Sequence, residues 1–222
     1  MFRRRPGEKH EAAMSMVLWS VLVAVAVTGA LPTPAPTYSS CSSLAFRRGV
    51  ISTSQTIPKD AQVGDFDSDG DEDVVACSVS SDTVNWYEND GQGTWTTHSI
   101  STTLNAAVVV ASDLDADGDI DILVHETTAI HWIENLHGLG TDWTTHSIKA
   151  TASSALDMFA VDIDSDSDID ALYVDSGART VSWFENTGTL TDATEHYVST
   201  AFGAEVKGVV AGDVDGKTLL KM

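Results

Sequence analysis

One nine-residue pattern occurs three times in this chain and starts a fourth: DFDSDGDED from Asp65, DLDADGDID from Asp113, DIDSDSDID from Asp162 and DVDG from Asp213. The starts lie 48, 49 and 51 residues apart. A fixed period of this length marks a chain built from one supersecondary unit, which buries its apolar face only by stacking on copies of itself. Two further landmarks keep the same register. NWYEN, HWIEN and SWFEN surround Trp86, Trp132 and Trp183, and WTTHSI begins at Trp95 and Trp143 and weakens to ATEHYV at Ala193.

Within each unit an apolar run precedes the acidic loop (Val108 to Ala111, Met158 to Val161) and another follows it (Asp73 to Val79, Ile122 to His125). An alternating segment holding the tryptophan comes next, then a turn such as Asn89-Asp90-Gly91 or Asn186-Thr187-Gly188, then a Thr-rich segment ending at Ile100 or Ile148. These periods and turn residues predict four short strands per unit and no helix. Four strands in about 48 residues with an aromatic at fixed phase predict an all-β fold. It is a partial β-propeller of about three four-stranded blades plus an incomplete fourth, with blades at about 60–102, 103–150 and 151–200 and a partial one at 201–222.

The loop carries the chemistry. Aspartates at positions 1, 3, 5 and 9, with glycine at 6 for the bend, make a hard anionic oxygen cage of the kind that holds Ca²⁺. The side-chain candidates are Asp65, Asp67, Asp69 and Asp73 in the first copy, with the Asp71 carbonyl as a fifth donor. In the second copy they are Asp113, Asp115, Asp117 and Asp121 with Asp119, and in the third Asp162, Asp164, Asp166 and Asp170 with Asp168. Ser167 stands where Gly70 and Gly118 stand in the other loops, and a positive φ there would cost a non-glycine residue ~1 kcal/mol, which predicts a weaker third site. The fourth copy keeps Asp213, Asp215 and Gly216 but has Lys217 next, so no metal is assigned to it. An EF-hand is excluded, because position 12 is Ala76, Val124 or Tyr173 rather than glutamate and both flanks read as strands.

The acidic loops, the WxEN segments and the period together resemble FG-GAP/VCBS repeats, the calcium-binding blades of integrin-α-like β-propellers, from about residue 60 onward. The resemblance implies an extracellular propeller that holds Ca²⁺ in hairpin loops and uses its face for adhesion or for recognising a glycan or protein ligand. It departs from the pattern at Ser167, at Ala193 in place of a third tryptophan, and in the incomplete fourth blade. Some secreted polysaccharide-active lyases and dehydratases carry similar propellers, so a propeller fragment of such an enzyme is the alternative reading. The distinctive residues recur in every copy, whereas an active site needs one asymmetric constellation; the reading is therefore non-catalytic.

Upstream, Arg3, Arg4, Arg5 and Lys9 precede an apolar run from Met16 to Leu31 that ends in Thr28, Gly29 and Ala30. That order reads as a secretory signal over 1–30, and residues 31–59 as a Pro/Thr/Ser-rich linker and N-terminal extension. The expected location is secreted or at the extracellular surface, with no membrane insertion once the signal is removed. The formal charge of -21, from 33 acidic against 12 basic residues, repels phosphate backbones and excludes nucleic acid as a partner. A hydrophobic fraction of 42% is enough to build a core. Trp86, Trp132 and Trp183 read as inter-blade packing, and His98, His146 and His196 as strand residues; His125 with Glu126 lacks the helix a zinc site would need. Cys77 reads as a small buried residue, with pairing to Cys41 left open. Open blade edges would leave apolar surface in water and favour self-association.

Overall fold

The computed structural model describes residues 49–199 apart from 54, 56, 102, 127 and 150–154, together with Gly208, Val209 and Ala211. The signal segment, most of the linker, Cys41 and the loop beginning at Asp213 lie outside these residues.

Among the described residues, twelve strands form three antiparallel four-stranded sheets, each made of consecutive strands. The first sheet holds β1 (Pro58–Gly64), β2 (Asp73–Ser78), β3 (Thr83–Asn89) and β4 (Trp95–Ser101). The second holds β5 (Ala106–Ser112), β6 (Asp121–Glu126), β7 (Ile130–Asn135) and β8 (Trp143–Lys149). The third holds β9 (Ala155–Val161), β10 (Asp170–Asp175), β11 (Thr180–Glu185) and β12 (Thr194–Ser199). A single 3-10 turn, Leu190–Asp192, is the one helical element among the described residues. The fold is all-β, and its open four-stranded blades fit a partial propeller.

The sequence pattern of each strand follows from its place. β2 and β10 are buried along their whole length, because a second strand has a sheet neighbour on each edge and a packed layer on each face, which favours unbroken apolar runs such as VVAC and ALYV. β4, β8 and β12 are only partly buried and carry the threonines.

The blades stack through their faces. Val75, Cys77, Val84 and Trp86 of the first blade meet Ala106, Val109, Ile122, Val124 and Ile133 of the second. Leu123, Ile130 and Trp132 of the second meet Met158, Ala171, Tyr173 and Phe184 of the third. Trp86 and Trp132 therefore lie in the inter-blade cores, as their periodicity implied. The first strands also touch directly, since the Asp60 carboxylate accepts a 3.1 Å hydrogen bond from the Val109 amide. Asp157 does the same for Val209 at 3.0 Å. Val209 and Ala211 thus continue the stack onto Leu172, Val174 and Val181.

Three details refine the sequence reading. The residue at loop position 2, Phe66 or Leu114, is a plug buried between blades; the Phe66 ring sits 6.2 Å from Trp143 of the next blade. Where blade three has Ala193 instead of tryptophan, Leu190 of the 3-10 turn is buried in the same core as Leu114 and fills that volume. At the first blade the expected exposure of the apolar end face is not observed: Val74, Ala76 and Tyr87 on its outer face are all buried, with Ile51 packed against them. The Gln55 side-chain amide donates to the Ala76 carbonyl at 3.4 Å, so the segment before β1 runs over that face.

The recurring histidines also find their reason here. Each stacks on the tryptophan of the neighbouring strand, at centroid distances of 4.4, 4.6 and 4.7 Å for His98, His146 and His196. Each holds the WxEN glutamate by Nε2, with His98–Glu88 at 2.7 Å and His146–Glu134 and His196–Glu185 at 2.6 Å.

Because Phe66 fills the space between two blades, Phe66→Ala should lower unfolding free energy by about 3–5 kcal/mol. Urea titration monitored by tryptophan fluorescence measures this, and a loss below about 1 kcal/mol would contradict the plug role.

Candidate metal centres

Each acidic loop joins the first two strands of a blade, and its winding is directed by its own aspartates. The position 1 carboxylate accepts the amide of position 6 in every loop: Asp65 from Gly70 at 3.0 Å, Asp113 from Gly118 at 3.1 Å and Asp162 from Ser167 at 3.2 Å. Position 3 accepts the position 5 amide at 3.3, 3.3 and 3.2 Å. Position 5 accepts the position 7 amide at 2.9, 2.9 and 3.0 Å. These two-residue hydrogen bonds are the turns that short acidic side chains favour.

The sixth residue does adopt a left-handed backbone, with φ of 94° at Gly70, 98° at Gly118 and 84° at Ser167. Ser167 accepts that strain as anticipated. Position 4 is left-handed too, at Ser68, Ala116 and Ser165, with φ of 59°, 61° and 70°. Serine and alanine give no sequence signal for this conformation, so it was not foreseeable.

Position 9 differs in kind. Asp73, Asp121 and Asp170 begin the second strands and are at most 1% exposed. One oxygen of each accepts the amide of loop position 2: Asp73 from Phe66 at 3.1 Å, Asp121 from Leu114 at 3.2 Å and Asp170 from Ile163 at 2.8 Å. The other accepts the amide of the WxEN asparagine: Asn89 at 2.8 Å, Asn135 at 2.8 Å and Asn186 at 2.9 Å. Burial pushes these carboxyls up to about 6, about 7 and about 6, and the amide hydrogen bonds only partly offset it. At position 3, Asp67 and Asp115 are raised by burial and then by the carboxylates of Asp69 and Asp117.

The structure brings positions 1, 3 and 9 together. In Asp65–Asp67–Asp73, Asp113–Asp115–Asp121 and Asp162–Asp164–Asp170, one oxygen per residue lies within 4.8 Å of the other two. Oxygens sharing one Ca²⁺ at ~2.4 Å can be no farther apart than about that, and hard oxygen donors without nitrogen or sulfur suit Ca²⁺. Asp69, Asp117 and Asp166 lie outside these triads, turned to the amides of position 7. In the first two blades the seventh-position side chain faces the turn between the third and fourth strands: a Cβ on Gly91 would meet the Asp71 carboxylate at 2.1 Å, and one on Gly138 would meet Asp119 at 2.1 Å. Acidic loops and turns therefore occupy the same edge of each blade.

Two rival sites carry no such geometry. His125 is buried in β6, and burial pushes its imidazole down to about 4, so it is neutral at ordinary pH. Cys77 is a free buried thiol pushed up to about 12, too far for thiolate chemistry near neutral pH.

Stacked four-stranded sheets with an aspartate triad in each first hairpin define a propeller-type repeat protein. The family model for the FG-GAP-like repeat matches residues 65–124 and 162–216, just over half of the chain. The chain belongs to that family. Comparison with curated proteins finds no match. Each family match runs from one acidic loop through the next, so all four loop starts fall within the matches.

The raised position 9 carboxyls set a pH dependence. In metal-free protein they keep protons that the unfolded chain releases near its usual value of 3.8, so their contribution to stability is full below about pH 4 and is lost as pH rises through 6 to 7. A cation must displace those protons, so the melting-temperature gain from Ca²⁺ should grow between pH 5 and 7.5 and then level off. Thermal melts in EDTA and in Ca²⁺ across this range measure both trends; a Ca²⁺ gain independent of pH would contradict the assignment of position 9 to the site.

Proposed function

We propose that this protein is a calcium-binding, non-catalytic β-propeller module of the extracellular space that serves adhesion or ligand recognition. The observation that carries the calcium reading is the threefold convergence of carboxylate oxygens from positions 1, 3 and 9. The three triads would hold Ca²⁺, joined by Asp69, Asp117 and Asp166 and by the carbonyls of Asp71, Asp119 and Asp168. Bound Ca²⁺ would supply charge neutralisation among carboxylates that otherwise repel.

The non-catalytic reading has specific support. Lys149, Tyr173 and Glu195 form an asymmetric set that could suggest acid–base work. Lys149 donates to Tyr173 at 2.6 Å and to Glu195 at 2.7 Å, and the Tyr173 hydroxyl donates to Glu195. Tyr173 is only 1% exposed and its hydroxyl is pushed up to about 12 by burial, so the set acts as a clamp between the second and third blades. That argues against the lyase or dehydratase alternative.

Recognition is assigned to the edge that carries the acidic loops. In the second blade the turn before β8 presents Leu136 and Leu139 there, 39% and 57% exposed. An apolar tip beside anionic, cation-binding loops suits a glycan or protein ligand and repels nucleic acid. Self-association is a second partner class, because β12 exposes Tyr197 and Val198 on an outer strand. Secretion rests on the basic and apolar N-terminal pattern from Arg3 to Ala30.

Isothermal titration should give two stronger sites and a weaker third, with Kd near ~10⁻⁴ to 10⁻³ M. Asp115→Ala should abolish binding at the second site. At tenfold excess over Kd each site adds about 1.4 kcal/mol, so EDTA should lower the melting temperature by several degrees. No heat of binding at 10 mM Ca²⁺ would sink the calcium reading.

For recognition, a glycan and cell-surface protein array probed with and without Ca²⁺ should show binding that Leu139→Asp abolishes while the melting temperature stays unchanged. Binding unaffected by that variant would move the ligand site elsewhere.

A further inference from the structure

Asn135 ends β7 and Asn186 directly follows β11, and their side chains reach beyond their own blades. Each is 1% exposed and sits between two successive acidic loops. Asn135 Nδ2 donates at 2.9 Å to the carbonyl of Phe66, position 2 of the first loop, and at 3.4 Å to that of Ile120, position 8 of the second. Asn186 Nδ2 repeats this between the second and third loops, at 2.7 Å to Leu114 and 3.0 Å to Ile169. Facing two carbonyl acceptors, the atom in each case must be the nitrogen, whose two hydrogens serve both.

These bonds complete an unbroken chain between buried carboxylates. Asp73 accepts the Phe66 amide, the carbonyl of Phe66 accepts the Asn135 side chain, and the Asn135 amide donates to Asp121. The same three links run from Asp121 through Leu114 and Asn186 to Asp170. Asn89 supplies the contrast. It holds the Glu72 carbonyl of its own loop at 3.0 Å, with no bond to another loop among the described residues.

We propose that neighbouring metal loops bind Ca²⁺ with positive cooperativity, coupled through the buried carboxamides of Asn135 and Asn186. This rests on the reading that the loops bind Ca²⁺. Ordering one loop fixes the position 2 peptide, which fixes the carboxamide that also holds the next loop. The second loop then loses less conformational freedom on binding. The coupling is reciprocal, so each site tightens the other by the same factor.

The amide signals of Gly70 and Gly118, which bond Asp65 and Asp113, report the first and second loops separately in an NMR titration of the full chain with Ca²⁺. Asp67→Asn, which strips one carboxylate charge from the first loop and weakens it, should raise the Ca²⁺ midpoint read at Gly118 by about fivefold or more. Asp164→Asn in the third loop should do likewise through Asn186. In an Asn135→Ala background, Asp67→Asn should leave the Gly118 midpoint where Asn135→Ala alone puts it, whereas Asn89→Ala should leave the coupling intact. If both glycines respond to Ca²⁺ but neither Asp67→Asn nor Asp164→Asn shifts the Gly118 midpoint, the cooperativity is wrong while the calcium reading stands. Coupling from the first loop to the second that survives Asn135→Ala overturns the assigned route. Should Asn135→Ala not fold by thermal melting, the two aspartate variants decide. Absence of any response at both glycines in the unmutated chain overturns the calcium reading and this inference together.

Discussion

A carboxylate removed from water is the constraint on which the architecture turns. The position 9 aspartate of each loop sits at the head of a second strand with almost no exposure, a location that strongly disfavours an unpaired anion. It is tolerated because two backbone amides point at it, one from the apolar plug of its own loop and one from the asparagine that closes the third strand. Those two bonds set the loop's path, the end of β3 and the depth of the plug together. The regular period of the chain reflects this: displacing any one of the three residues would leave a buried charge or a buried amide without a partner.

Polar and apolar interactions divide the work between two directions. Along a blade, backbone ladders join consecutive strands, and the Trp–His stack with its Glu–His pair ties the outer strand to the third. Between blades, apolar faces give most of the stabilisation, while a few directed bonds fix the register. The Asp60–Val109 bond aligns first strands, and the asparagine side chains align the loop edges. Dispersion and desolvation would tolerate some sliding; a buried carboxamide with two fixed acceptors would not.

The repeat made the sheets, their order and the clustering of the loop aspartates legible, because a period of about 48 residues with aspartates in constant phase admits few other structures. Ser167 was readable as a strained position for the same reason. What stayed hidden involved contacts between units. Phe66 and Leu114 look like interruptions of an acidic run until the next blade is placed against them. The asparagines of WxEN recur in every copy, which was signal enough to mark them, but their role needed the neighbouring carbonyl. Leu190 replacing an absent tryptophan required knowledge of the volume to be filled, and the cover over the first blade's outer face came from a segment whose composition suggested nothing but a linker.

Because each sheet consists of consecutive strands, the order of synthesis matters to assembly. A ribosome delivers β1 to β4 as one local meander, so the first blade can pair its strands before the second exists, and sequence-local pairing of this kind forms early. The Phe66 plug and carbonyl, however, wait for Trp143 and Asn135, which emerge some seventy residues later. Each nascent blade thus carries a freshly made sticky face until its successor arrives. The window of greatest risk for this chain lies between finishing one blade and completing the next, at a stage when most of its backbone hydrogen bonds are already made.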